Sequence, residues 1–279
     1  MVPTLRPVMV APSFTLLLLQ ACSGAGQEPD VAANRSAPDD PEPLFVSLDP
    51  ASSGITFKNA INENQQQNYY VYEYMYNGGG VAVGDINGDG LPDIYFTGNL
   101  VPDRLYLNKG DMQFEDITET AIPGGQDGWH SGVTMADVNN DGLLDIYVCR
   151  AGWYDEPEQR TNLLYLNNGD LTFKEVAQAW GVADTTRSTQ AAFFDMDKDG
   201  DLDLFVINTP LQKKRQYSNI EIQQMVEKRV SPSDRLYRND GDRFTDITAE
   251  AGIWNMGYGL GVAISDLDGN GWPDIYVSS

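Results

Sequence analysis

Short runs rich in Val, Ile, Leu, Phe and Tyr recur from residue 81 to the end of the chain, each bounded by Gly, Asn and Asp. β-branched and aromatic residues between turn formers predict strands. The runs fall near 81–84, 93–97, 104–108 and 113–117, then near 132–136, 145–149, 163–167 and 172–176. A third set lies near 190–194, 203–207, 235–238 and 243–247, and a fourth begins at 260–265 and 274–278. Ahead of them, Ser53-Gly-Ile-Thr-Phe-Lys-Asn matches Phe114-Glu-Asp-Ile-Thr in composition and predicts the outer strand of a preceding set. An insertion at 208–232 breaks the rhythm: Ile220-Glu-Ile-Gln-Gln-Met-Val-Glu-Lys-Arg predicts a short helix, and Lys213, Lys214 and Arg215 form either a docking point or a solvated charged end.

Four segments align without gaps, at 85–93, 137–145, 195–203 and 266–274, so the period is 52, 58 and 71 residues. Such periods suit a four-stranded propeller blade with loops of variable length. Between them recurs a second element, Leu-Tyr followed by Asn-x-Gly-Asp and Phe, at 105–114, 164–173 and 236–244, the last one residue shorter before its Phe. Asn-x-Gly-Asp between apolar runs is a hairpin turn whose glycine supplies positive φ. The fold expected is therefore all-β, a β-propeller over residues 44–279 with about three and a half blades in this chain. A closed propeller typically has four to eight blades, so the domain reads as incomplete at its C-terminus, with an open strand edge.

Within each aligned loop, side-chain oxygens stand at positions one, three, five and nine: Asp85, Asn87, Asp89, Asp93; Asp137, Asn139, Asp141, Asp145; Asp195, Asp197, Asp199, Asp203; Asp266, Asp268, Asn270, Asp274. Alternate residues converge when a tight loop curls round an ion, and oxygen-only ligation suits a hard cation such as Ca²⁺ rather than zinc. Position six is always glycine (Gly90, Gly142, Gly200, Gly271), as a sharp turn at positive φ requires. Position two is always apolar (Ile86, Val138, Met196, Leu267) and is read as pointing inward, whereas position four (Gly88, Asn140, Lys198, Gly269) is read as pointing out. Position seven varies among Leu91, Leu143, Asp201 and Trp272, as expected where only the backbone carbonyl binds. An EF-hand would need Glu at position twelve, which here is Phe96, Val148, Val206 and Val277. Four Ca²⁺ ions would move the formal charge from -23 to -15.

These residues resemble the FG-GAP or VCBS repeats of integrin-alpha type propellers, and among them the bacterial relatives of cartilage acidic protein. The resemblance covers roughly 45–279 and is most specific at Asn77-Gly-Gly-Gly-Val-Ala-Val-Gly-Asp85 and Asp93-Ile-Tyr-Phe-Thr-Gly-Asn99. It implies that each loop joins the first two strands of a blade, with ligands at one, three, five, seven and nine. Full-length relatives often end in an ASPIC/UnbV domain, absent from this sequence, which reads as an N-terminal fragment.

The N-terminus changes the picture of location. Arg6, an apolar stretch from Val8 to Leu19 and then Leu19-Gln-Ala-Cys22 read as a lipoprotein signal peptide over residues 1–21, with Cys22 as the acylated residue. Ser23 in place of Asp favours the outer membrane of a bacterium. Residues 22–43, rich in Pro and acid without apolar period, read as a flexible tether. The second cysteine, Cys149, sits in an apolar run and reads as a buried small hydrophobe. With 41 acidic against 18 basic residues, nucleic acid is an excluded partner and the membrane is reached only through the anchor.

The function expected is a calcium-binding module for cell adhesion at the envelope, holding an extracellular glycan or protein. The alternative is a calcium-dependent polysaccharide lyase. For that chemistry His130, the single histidine, is the candidate base beside Trp129 near the propeller axis. Tyr69, Tyr70, Tyr72, Tyr74 and Tyr76 either stack on sugar rings or cover a strand face, and Gly78-Gly-Gly80 reads as close packing at the axis.

Overall fold

The computed structural model describes residues 45–124, 127–209, 218, 220–221, 224, 234–255 and 257–278. Residues 47–279 form one compact unit, and of residues 1–46 only Phe45 and Val46 are described. The expected signal, Cys22 and the tether lie outside the described residues. Among the described residues no helix is long and apolar enough to cross a membrane.

The architecture is a β-propeller. The first antiparallel sheet runs β1 (Val81–Gly84), β2 (Asp93–Phe96), β3 (Arg104–Asn108), β4 (Phe114–Asp116). The second runs β5 (Trp129–Ala136), β6 (Asp145–Ala151), β7 (Leu163–Asn167), β8 (Phe173–Glu175). The third runs β9 (Arg187–Phe194), β10 (Asp203–Thr209), β11 (Arg235–Asn239), β12 (Phe244–Asp246), and β13 (Gly261–Ser265) pairs with β14 (Asp274–Ser278) in a two-stranded sheet. Every neighbour pair is antiparallel and sequential, so each sheet is a meander built from local hairpins.

Core residues sit between consecutive sheets. Ile86, Tyr95, Leu105 and Leu107 of the first pack against Ile146, Val148 and Tyr165 of the second. Val138, Tyr147 and Leu164 then pack against Leu204, Val206, Tyr237 and Phe244 of the third. A strand sandwiched on both faces has no polar side, which is why all seven residues of β6 and of β10 are buried. Cys149 lies there, fully buried as expected, its thiol pushed up by desolvation. Gly80, ahead of β1, does permit close packing, since a Cβ there would lie 2.6 Å from the Ser131 carbonyl; one on Gly132, within β5, would lie 2.6 Å from the Thr189 carbonyl.

Three expectations are corrected. Ser53-Gly-Ile-Thr-Phe is not a strand: Asp49 caps a short helix, α1 (Pro50–Ser53), which ends at Gly54 with φ 78°. Gly54 abuts the Phe114 carbonyl as Gly181, after the helix Ala177–Trp180, abuts that of Phe244. The segment thus occupies the place of the helix that follows an outer strand. The tyrosine run is not a strand either, because Asn68 turns the chain: its backbone oxygen accepts from Val71 and Tyr72 N–H and its side chain from Tyr70 N–H. Tyr72 and Tyr74 are buried, whereas Tyr69, Tyr70 and Tyr76 are exposed. Finally, residues 208–209 belong to β10, not to the insertion; Ile220, Glu221 and Gln224 are helical, and Lys213, Lys214 and Arg215 lie outside the described residues.

Candidate metal centres

Each acidic loop closes the hairpin between the first two strands of a sheet, and its own side chains organise its backbone. Asp85 accepts from the N–H groups of Gly88 (2.8 Å) and Gly90 (2.7 Å), and Asn87 and Asp89 accept from Asp89 and Leu91 N–H respectively. The Gly90 N–H in particular holds the Asp85 carboxyl below its usual range. Loop four repeats all of these bonds and loops two and three most of them, with Gly142, Gly200 and Gly271 N–H donating to Asp137, Asp195 and Asp266. The position-six glycines have φ of 84°, 87°, 96° and 88°, as the sequence requires.

Position four was read only as outward-pointing, and its role is larger. Gly88, Asn140, Lys198 and Gly269 all have positive φ, including two residues that carry side chains. Asn140 Nδ2 donates to Asp201 at position seven of the next loop (2.5 Å), and Lys198 Nζ lies 4.2 Å from the ring centroid of Trp272, also at position seven. Loop two is therefore tied to loop three, and loop three to loop four. Glycine and asparagine in three of four copies were the signal for the left-handed backbone; Lys198 concealed it.

The nine-position acids differ from the others. Asp93, Asp145 and Asp203 are buried, and each accepts one N–H at either oxygen. For Asp145 the donors are Asn167 N–H (2.9 Å) and Val138 N–H (3.0 Å); for Asp93, Asn108 and Ile86; for Asp203, Asn239 and Met196. Burial, reinforced by the neighbouring acids Asp141 and Asp137, pushes the Asp145 carboxyl up to about 6. Burial raises Asp93 and Asp203 likewise, aided by Asp89 and Asp85 and by Asp197 and Asp199. These acids join the loop to the third strand of its own sheet while facing the other carboxylates.

The asparagine of the second repeated element completes the frame. Asn167 Nδ2 donates to the Leu144 carbonyl of its own loop (3.2 Å) and to the Ile86 carbonyl of the preceding one (2.8 Å); its Oδ1 accepts from Gly169 N–H. Asn239 does the same with Leu202 and Val138. The sequence marked this residue only as part of a turn. Asn167→Ala would strand two buried carbonyls and is expected to cost about 2–3 kcal/mol, read as a lower urea midpoint at unchanged slope.

The carboxylate oxygens of Asp195, Asp197 and Asp203 lie within 4.8 Å of one another, as do those of Asp266, Asp268 and Asp274. In the first two loops Asn87 and Asn139 replace the acid at position three. An all-oxygen set with like charges this close fits a hard divalent cation.

A model of FG-GAP-like repeats matches residues 85–148, 153–206 and 229–277. The chain belongs to the FG-GAP-like repeat family. The first match opens at the first acid of loop one, and the last closes within β14. The FG-GAP chain is 28% identical over 242 residues to cartilage acidic protein 1 of Xenopus tropicalis, covering 84% of this chain and 33% of that protein. It is 29% identical over 213 residues to human cartilage acidic protein 1, with 73% and 28% covered, and 27% identical over 268 residues to the mouse protein, with 92% and 37% covered. The chain thus spans about a third of the length of the curated relatives it matches.

His130 does not sit in the axial opening of this FG-GAP propeller. It is 1% exposed between the first two sheets, where Nδ1 lies 2.6 Å from Asp103 Oδ2, which also accepts from the Tyr95 hydroxyl (2.7 Å). That enclosure gives a polymeric substrate no path to the ring. Its neighbour Trp129, also buried, does line the axial cavity.

Proposed function

We propose that this chain is a calcium-binding propeller displayed at the outer membrane of a bacterium, where it acts as an adhesion module for an extracellular glycan or protein. The observation that carries the reading is the set of four loops in one register, each offering side-chain oxygens from positions one, three, five and nine and a carbonyl from seven. The side-chain donors in order are Asp85, Asn87, Asp89 and Asp93, then Asp137, Asn139, Asp141 and Asp145, then Asp195, Asp197, Asp199 and Asp203, then Asp266, Asp268, Asn270 and Asp274, with Leu91, Leu143, Asp201 and Trp272 giving carbonyls. Bound calcium would neutralise the clustered carboxylates and hold the loops rigid. The raised Asp145 supports this, because a buried carboxyl beside two like charges is costly to ionise until a cation joins it.

A binding role follows from what a rigid, repeated scaffold offers: it presents surface without moving parts. The relatives are acidic cartilage proteins by name, and the choice of partner rests on this chain's own tests. Pull-down of the calcium-loaded protein on a panel of immobilised polysaccharides and matrix proteins is expected to show retention that EDTA abolishes. Equal retention in EDTA would count against calcium as the organiser.

Location rests on Leu19-Gln-Ala-Cys22. Cys22→Ser is expected to move the protein from the membrane fraction to the soluble fraction of the expressing cell, read by immunoblot. Recovery with the membranes at wild-type level would remove the anchor from this reading.

A further inference from the structure

The first and last sheets each present a bare apolar face, and the repeat shows what covers such a face elsewhere in the molecule. The third residue of the second strand is Tyr95, Tyr147, Phe205 and Tyr276 in the four sheets. The first three are buried, each in the core that its sheet forms with the next. Tyr276, on the last sheet, is 61% exposed. Position two of the loop follows the same rule: Ile86 and Val138 are buried under the next sheet, and Leu267 is exposed. Large apolar residues left in water where their counterparts are covered mark an interaction surface.

The first sheet is bare on its opposite face, where Val81 and Val83 of β1 are exposed. Val83 stands two residues before its loop, as Met135, Phe193 and Ile264 stand before theirs. Those three pack against the preceding sheet. In the second contact Phe193 meets Tyr147 edge to face, 6.0 Å between centroids, so a residue in the register of Val83 touches one in the register of Tyr276. Only the inner half of the first sheet's face is open. Over the outer half Phe57 stacks on Phe96 at 5.1 Å, and Thr56 N–H donates to the Tyr106 hydroxyl (3.2 Å). The uncovered part is thus two strands wide, β1 and β2, and the last sheet is also two strands, β13 and β14. Both faces are bare in one copy, so a single chain does not bring them together.

We propose that a second copy of this chain covers them: the β13–β14 face of each copy packs on the β1–β2 face of the other. A two-fold axis then makes two equal contacts and leaves neither face open. Two copies supply eight sheets, within the range of closed propellers, and a third copy would exceed it. This inference goes beyond the adhesion reading and holds whichever glycan or protein that reading concerns.

The test is the mass in solution of the full chain carrying Cys22→Ser, which removes the proposed lipid acceptor, by light scattering after size-exclusion chromatography. Calcium is kept saturating because Leu267 lies in the fourth loop. A species of twice the chain mass is expected at micromolar concentration. Tyr276→Glu and Val83→Lys, both at exposed positions, are each expected to raise the dissociation constant at least about tenfold, since association would bury an unpaired charge. The melting temperature of the dissociated chain should stay unchanged. Mixing the two variants is expected to restore the dimer, because one contact then carries neither change and the other sets Glu against Lys. A monomeric wild type, a polymer larger than a dimer, a dimer that Val83→Lys leaves intact, or variants that stay monomeric when mixed would overturn the assignment.

Discussion

Removing calcium from the purified chain with EDTA is expected to lower its melting temperature by about 20 °C relative to calcium held about a hundredfold over its dissociation constant. Extracellular calcium modules often bind at roughly 10⁻⁴ to 10⁻³ M, so a hundredfold excess takes about 10 to 100 mM ion. A site filled to a hundredfold over its dissociation constant adds about 2.7 kcal/mol. Four such sites in a folded unit of this size, at about 2 °C per kcal/mol, give the figure stated. The loops are also positioned to transmit the loss. Asp145 links its loop to β7, Asn167 links β7 to the preceding loop, and Asn140 reaches Asp201 in the following one. Unfolding in EDTA is therefore expected to lose the whole propeller rather than one hairpin. Melting curves that superimpose with and without EDTA would contradict this.

The second large effect is a reversal of the pH dependence of stability. In EDTA the Asp145 carboxyl titrates near 6 in the folded protein, against just under 4 when unfolded. Between those values the folded state holds a proton that the unfolded state has released, so stability falls as pH rises through about 4 to 6. Desolvation is the leading cause, and the shift corresponds to something on the order of 3 kcal/mol. Asp93 and Asp203 shift in the same direction. Asp85 shifts the opposite way, but it is solvated and screened and opposes the trend only weakly. With saturating calcium the sign changes, because the ion binds the ionised carboxylates and stability then rises over the same window. Urea midpoints measured across that range with and without calcium should give slopes of opposite sign. Parallel curves would remove the cation from the account.

Much of this was legible in the sequence because the fold is repetitive and local. Each sheet is a meander, and the apolar runs at 93–97 or 163–167 differ from the observed strands by a residue at most. The inner strands were read too short. β5 begins at Trp129 and β9 at Arg187, where Trp-His and Arg-Ser break the apolar run; pairing of Trp129 with Ala151 and Arg187 with Thr209 extends the sheet past an irregularity in register. Those polar residues are buried between sheets, where Asp103 satisfies His130 Nδ1 and Asn162 donates to Ser188. Alternation along one chain carries no signal for a partner that lies 27 residues away. The loops show the same divide. Glycine at position six and oxygens at odd positions were visible as spacing. The distinct duty of the ninth acid, held by N–H groups from β7 or its equivalents, depends on a third strand and is seen only once the sheet is assembled.

Isothermal titration of the calcium-free chain with Ca²⁺ tests the central claim most directly. About four ions per chain are expected for the wild type and about three for Asp199→Ala, which removes one position-five donor while its loop retains Asp195, Asp197 and Asp203. A chain that takes up no calcium, or an Asp199→Ala chain that takes up as many ions as the wild type, would contradict it.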